Sequence, residues 1–139
     1  LLTKRVHKII GNYLKGKQIS LLGVTFKPNT DDMRDSTSLK MIPYLCKKGA
    51  IVSYYDPSGE KKEFKNVKNC MFKNNIKNNC MNADLIILLT EWDEFKSIDF
   101  NRIVKRKKFK VYDLRNLYTA DEMKRNKIKY YSIGRPDIN

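Results

Sequence analysis

Apolar positions along the chain follow two alternating rhythms. Between residues 2 and 15, Leu2, Val6, Ile9, Ile10 and Tyr13 share one helical face while Lys4, Lys8 and Lys15 lie off it, and Gly16 closes the segment. Residues 18 to 24, beginning Gln18-Ile19-Ser20-Leu21-Leu22, form a short apolar run of strand character. Helical spacing returns with Leu39, Ile42, Leu45 and Cys46. Asp35 or Ser36 stands where a cap for the first turn is needed. Gly49 stands where a helix leaves in the left-handed conformation. Pro43 removes one backbone hydrogen bond inside that helix and is expected to bend it.

The second half repeats the scheme in shorter pieces. Ile51 to Tyr55 is a strand that ends at Asp56-Pro57, and the lysine-rich stretch from Ser58 to Lys68 reads as a mobile loop. Residues 67 to 72 add a short strand and Asn74 to Met81 a short helix. Leu85-Ile86-Ile87-Leu88-Leu89 is continuously apolar, as a strand covered on both faces must be, and is the expected central strand. A helix from Asp99 to Lys105, a strand from Lys110 to Asp113, a helix from Ala120 to Arg125 and a strand from Lys129 to Ile133 follow. Strands that alternate with helices predict an open α/β fold. Its sheet is mainly parallel and Rossmann-like, with helices on both faces and right-handed crossovers.

The chain has 139 residues, which fits one domain with a real core. It begins without methionine and directly in a helical pattern, as a piece of something longer would, residues 1–16 forming an entry helix. No apolar run approaches the roughly 18 residues of a membrane span. The first residues lack the layout of a signal peptide, so a cytoplasmic location is the expectation. Cys46, Cys70 and Cys80 form no C-x-x-C pair and have no histidine near them, which indicates neither a disulfide framework nor a zinc site. The single histidine, His7, is expected on the solvated side of the first helix.

A net charge of +14 raises nucleic acid as a partner. The lysines, however, are scattered over every element, and no aromatic residues interleave with arginine-rich stretches to make a stacking platform. Lys105-Arg106-Lys107-Lys108 reads as the solvated end of a helix. The pattern speaks against a nucleic-acid partner.

In an open parallel sheet, ligands lie outside the carboxyl ends of the strands. Those ends deliver Phe26 and Lys27, then Asp56, then Thr90, Glu91 and Trp92, then Asp113 and Arg115. Two cations beside an aromatic ring suit a diphosphate and its base, through charge-assisted hydrogen bonds. Phe26 reads equally well as a ligand contact and as plain core, Trp92 as a ligand contact and as a cap on the sheet edge, and Asp31, Asp32 and Asp56 read as loop and cap residues. Gly23 stands alone, without the G-x-G-x-x-G of a dinucleotide site. No nucleophile sits beside a base.

The stretch Gly23-Val24-Thr25-Phe26-Lys27-Pro28-Asn29-Thr30-Asp31-Asp32-Met33-Arg34 resembles a known signature, G-x-x-F-K-x-x-T-D-D-x-R. That signature opens the C-terminal, UDP-binding domain of the UDP-glucose 6-dehydrogenase (nucleotide-sugar dehydrogenase) family. Further matches follow in order at Tyr55-Asp56-Pro57, Ala83-Asp84, Thr90-Glu91-Trp92-Asp93-Glu94-Phe95, Asp113-Leu114-Arg115-Asn116 and Tyr131-Ser132-Ile133-Gly134-Arg135.

The resemblance implies one UDP-binding domain over residues 1–139, in an enzyme that oxidises UDP-glucose to UDP-glucuronate with two NAD. It implies a homodimer, with the catalytic cysteine and the NAD fold in the remainder of the dehydrogenase chain. This piece alone is then expected to be inactive. Residue by residue, Phe26 and Lys27 match substrate-contacting positions and Arg34 an arginine that reaches NAD. Arg115 matches a substrate-contacting arginine, although Leu114 replaces the glycine usual before it. A UDP-N-acetylmannosamine or GDP-mannose dehydrogenase, or a nucleotide-binding module without chemistry, remains an alternative.

Overall fold

A computed structural model describes residues 2–133, so that Gly134 and Arg135 of the last motif lie outside the described residues. Six strands form one sheet: β1 Gln18–Leu22, β2 Ile51–Tyr55, β3 Cys70–Phe72, β4 Leu85–Leu88, β5 Lys110–Asp113 and β6 Lys129–Ser132. Their order is β3-β2-β1-β4-β5-β6, and every pairing is parallel. The expectation of a mainly parallel sheet holds and can be tightened to all-parallel. Among the described residues, helix α1 Leu2–Ile10 precedes the sheet, and α2 Ser38–Lys47, α3 Ile76–Cys80, α4 Phe100–Ile103 and α5 Ala120–Arg125 lie between its strands.

The sheet is covered on both faces, because alternate residues of its inner strands are apolar on both sides. Ile19, Leu21, Leu85 and Ile87 pack with Val6 and Ile9 of α1 and Met41, Ile42 and Leu45 of α2. Leu22, Ile86, Leu88 and Val111 pack with Cys80 of α3, Phe100 of α4 and Met123 of α5. β1 and β4 lie at the centre of the strand order, so the strand order reverses between them. That is the switch point at which such sheets carry their ligands.

Several local expectations change. The first helix ends at Ile10 instead of residue 15, because Gly11 at φ +93° closes it with a bond from its N–H to the His7 carbonyl. Tyr13 is consequently 71% exposed, and Leu14 takes the buried place. His7 is half-buried instead of solvated. Its Nε2 lies 2.7 Å from the Tyr44 hydroxyl and its ring stands edge-on to Tyr44, tying α1 to α2.

α2 begins at Ser38 behind Thr37, whose side chain makes no cap bond, while the Ser36 hydroxyl accepts the Ser38 N–H at 3.2 Å, and the helix runs through Pro43 without a break. The stretch from Ser58 to Lys68 is no free loop. Phe64 is buried edge-on against Tyr54, and the Lys61 N–H donates to the Tyr54 hydroxyl at 2.8 Å. α4 spans four residues only. The basic run after it is exposed, and Arg106 pairs with Asp84 at 3.3 Å.

Candidate functional site at the carboxyl ends of the strands

The turn out of β1 is held from three sides. Gly23 adopts φ +84°, and a Cβ there would stand 2.6 Å from Cβ of Thr90, so only glycine lets the exits of β1 and β4 come this close. Thr90 donates its hydroxyl to the Thr25 carbonyl at 2.8 Å. From the side of β2, the carboxylate of Asp56 accepts the Val24 and Thr25 N–H groups at 2.8 and 3.3 Å through Oδ2. Its Oδ1 accepts the N–H and hydroxyl of Ser58 at 2.9 and 2.5 Å. From the start of α2, the hydroxyls of Ser36 and Ser38 both donate to the Val24 carbonyl, at 2.5 and 2.6 Å.

That frame lifts the next residues into solvent. Phe26 is 50% exposed, which decides between the readings left open in the sequence: it is not a core residue. Lys27 is exposed, and its ammonium makes no hydrogen bond among the described residues. Asp32 caps the apex from within. It accepts the Arg34 side chain at Oδ1 and Oδ2, from Nε at 3.0 Å and Nη2 at 2.9 Å, and also the Arg34 N–H at 2.9 Å. The Arg34 hydrogen bonds hold the Asp32 carboxyl down at about 2, helped by the charge of Lys27. Arg34 is 89% exposed in its side chain and, among the described residues, forms an ion pair with Asp32 alone.

Arg115 reaches the same edge from β5. Asp113 is fully buried and accepts the N–H groups of Arg115 and Tyr118 at 3.1 and 3.0 Å and the Tyr130 hydroxyl at 2.6 Å. The exit of β5 is therefore as firmly held as that of β2. Arg115 Nε donates to the Leu89 carbonyl at 2.9 Å, and its Nη2 lies 3.5 Å from the Phe26 carbonyl. Leu114 does not disturb this arrangement. It is absent from the residues at positive φ, and its side chain is buried in the core, so no glycine is required before Arg115.

Of the residues singled out in the sequence, the structure brings Phe26, Lys27 and Arg115 to one edge and leaves Arg34 at the solvent-facing tip of the same loop. Asp56, Thr90 and Asp113 hold backbone and are buried. Trp92 packs against the core with its Nε1 buried and without a partner among the described residues. Ser38 escaped the sequence reading, and Ser36 was read only as a cap, without its bond to the Val24 carbonyl. The signal available was only a pair of small hydroxyl residues two apart before an amphipathic helix.

A dinucleotide does not fit the turn after β1. In a dinucleotide fold, free amides of that turn receive the pyrophosphate. Here Asp56 already takes the Val24 and Thr25 amides, and the Tyr55 carbonyl takes that of Gly23. No group of three or more histidines, cysteines or acids is placed to hold a metal among the described residues, and the three cysteines are free thiols. No helix of the described residues is long and apolar enough to cross a membrane.

Known proteins resemble this chain in sequence and in fold. The sequence profile of the UDP-glucose/GDP-mannose dehydrogenase family, UDP binding domain, matches residues 20–120. UDP-glucose 6-dehydrogenase from Rhizobium meliloti is 38% identical over 135 residues, which cover 96% of this chain and 31% of that protein. The enzyme of the same name from Rickettsia bellii is 36% identical over 96% of this chain and 32% of its own length. This chain thus spans about a third of these relatives.

Among solved structures, a UDP-glucose dehydrogenase from Pyrobaculum islandicum superposes with a TM-score of 0.73 at 25% identity, over 93% of this chain and 27% of that one. An NDP-N-acetyl-D-galactosaminuronic acid dehydrogenase from Methanosarcina mazei shares the fold, with a TM-score of 0.78 at 24% identity over 96% of this chain and 28% of that one. The sheet order and these matches agree: the chain belongs to the UDP-glucose/GDP-mannose dehydrogenase family, as its UDP-binding domain.

Proposed function

We propose that the edge formed by Phe26, Lys27 and Arg115 holds the UDP moiety of UDP-glucose, within an NAD-dependent UDP-glucose 6-dehydrogenase that makes UDP-glucuronate. The observation that carries this reading is Arg115, whose guanidinium leaves the β5 exit and comes to the Phe26 carbonyl, next to Lys27. Its remaining N–H groups and the Lys27 ammonium supply charge-assisted donors to a diphosphate, each worth about 1.5–3 kcal/mol. The half-exposed ring of Phe26 offers a flat face to the uracil. Because the turns that carry these side chains are already fixed, binding loses little backbone entropy.

In this reading the remainder of the enzyme supplies the reactive thiol and the NAD fold, and this chain by itself turns over no UDP-glucose. NAD, when bound, accepts hydride from the sugar, and the exposed Arg34 is the residue of this chain that meets it in this reading. The working enzyme is a homodimer, located in the cytoplasm.

An NMR titration with UDP, repeated with a DNA oligonucleotide, tests the reading. UDP is expected to shift amides of residues 24–34, 90–92 and 113–116 and to lose affinity in Lys27→Ala but not in Lys107→Ala. A polyanion binder behaves oppositely, with shifts over the whole lysine-rich surface and a steep fall with salt. Equal losses for both variants would refute the site.

A further inference from the structure

Two cysteines lie together, away from the strand exits. Cys46 is in the last turn of α2, and Cys70 opens β3, an edge strand of three residues that pairs with β2 alone. Both belong to the packing on the side of α1 and α2. Cys46 Sγ donates to the Asn69 carbonyl at 3.7 Å, in the peptide that leads into Cys70, and the two thiols hydrogen-bond to each other. Neither takes part in the site at the strand exits.

The pair is asymmetric. Cys46 is 8% exposed and lines a cavity of about 440 Å³ together with Val67, Asn69 and two exposed lysines, Lys47 and Lys68. Its sulfur touches the Asn69 carbonyl, and Asn69 lines the same cavity, so the thiol stands at the cavity wall. The hydrogen bond from Cys70 holds Cys46 below the ordinary thiol value against the opposing effect of burial, and the same bond pushes Cys70 up. The thiolate of the pair therefore forms at Cys46, in basic surroundings that suit a reactive cysteine. Cys80 is the contrast. It is fully buried on the other side of the sheet, and burial pushes its thiol up to about 12.

We propose that Cys46 and Cys70 are a peroxide-responsive dithiol, with Cys46 as the reacting thiolate and Cys70 as the resolving thiol, whose disulfide clasps the edge strand β3 to α2. Hydrogen peroxide is the oxidant and enters by the cavity. The Cys46 sulfur bonds to one peroxide oxygen as the O–O bond breaks, leaving a sulfenic acid, and the departing hydroxide takes up the proton that Cys46 released. The Cys70 sulfur then attacks the Cys46 sulfur. The S–O bond breaks, the S–S bond forms, and the hydroxyl leaves with the Cys70 proton as water. In sum, two thiols and one peroxide become one disulfide and two waters. Thiols already in contact reach bonding distance by side-chain rotation, and a dithiol reductant reverses the step. This site uses none of the residues assigned to UDP and does not rest on that reading.

The test is treatment of the folded protein with hydrogen peroxide, followed by blocking of free thiols, digestion without reductant and mass spectrometry. A peptide pair joined through Cys46 and Cys70 is expected, lighter than the reduced pair by about 2 Da, with Cys80 still a thiol and dithiothreitol restoring the starting mass. In Cys70→Ser the reaction should stop at a Cys46 sulfenic acid, which dimedone traps, and in Cys46→Ser oxidation of Cys70 should be at least about tenfold slower than the loss of thiols in the wild type. Amide exchange of β3 should slow about tenfold or more on oxidation and recover on reduction. The proposal is overturned if the folded wild-type protein gives no Cys46–Cys70 link, if the link joins separate molecules, if Cys80 oxidises as fast as Cys46, if Cys70 reacts undiminished in Cys46→Ser, or if exchange of β3 is the same in both redox states.

Discussion

Two parts of the same loop behave as different materials. Residues 23–25 and 36–38 are mostly buried and hydrogen-bonded from β2, β4 and α2, whereas Phe26, Lys27 and Arg34 between them stand in solvent. The first part receives seven short contacts from Asp56, Thr90, Ser36 and Ser38. The exposed part is tied by Asp32, which accepts Arg34 and whose carbonyl accepts the Phe26 N–H at 3.2 Å. In the proposed site, recognition therefore stands on a scaffold whose own side chains are occupied in holding the loop. Substitutions in the two parts should separate into losses of stability and losses of binding.

Asp56→Ala tests the scaffold most severely. It strips acceptors from the Val24 and Ser58 N–H groups and from the Ser58 hydroxyl, all partly or fully buried, and is expected to cost about 2–4 kcal/mol in urea unfolding. Stability equal to wild type would show that the loop is held by something else. Lys27→Ala tests the other side of the comparison. UDP affinity should fall by about 1.5–3 kcal/mol with no change in the unfolding midpoint, because the ammonium bonds to nothing in the described fold.

Gly23→Ala should cost about 1–3 kcal/mol of stability, through its positive φ and the collision with Thr90, with UDP binding weakened only as far as the turn shifts. A neutral result would mean that the exits of β1 and β4 are not in fact pressed together.

The smallest effect concerns pH. Asp32 titrates at about 2 in the fold against an ordinary 3.8, so its contribution is fully present above 3.8 and is lost as pH falls through about 2. Since the carboxylate is exposed, global stability should scarcely respond. Arg34→Ala should return the Asp32 carboxyl toward 3.8, read by its side-chain carbon shift. A titration unchanged in that variant would place the cause elsewhere.

The sheet was legible in the sequence because it is covered on both faces: Leu85 to Leu88 and Gln18 to Leu22 can be little else than interior strands. Helix ends were less legible. Gly11 and Gly16 are equally good stops on paper, and the choice falls to Gly11, with Leu14 turning inward beyond it. The loop from Ser58 to Lys68 read as mobile because lysines dominate its composition, whereas one phenylalanine, Phe64, holds it to Tyr54.

At the strand ends, the positions of Phe26, Lys27 and Arg115 were legible in the sequence, whereas their contact with a ligand belongs to the proposal. The roles of Asp56, Ser36 and Ser38 were not legible, since each bonds to backbone 12–32 residues away and leaves no periodic trace.

Comparing UDP with uridine by calorimetry addresses the central claim most directly. If Lys27 and Arg115 grip the diphosphate, wild-type protein should bind UDP more tightly than uridine by about 1.5–3 kcal/mol for each cation engaged. The gap should close in the Lys27→Ala, Arg115→Ala double variant while uridine affinity stays the same. A gap that survives both substitutions, or one that closes equally in Lys107→Ala, would contradict the account.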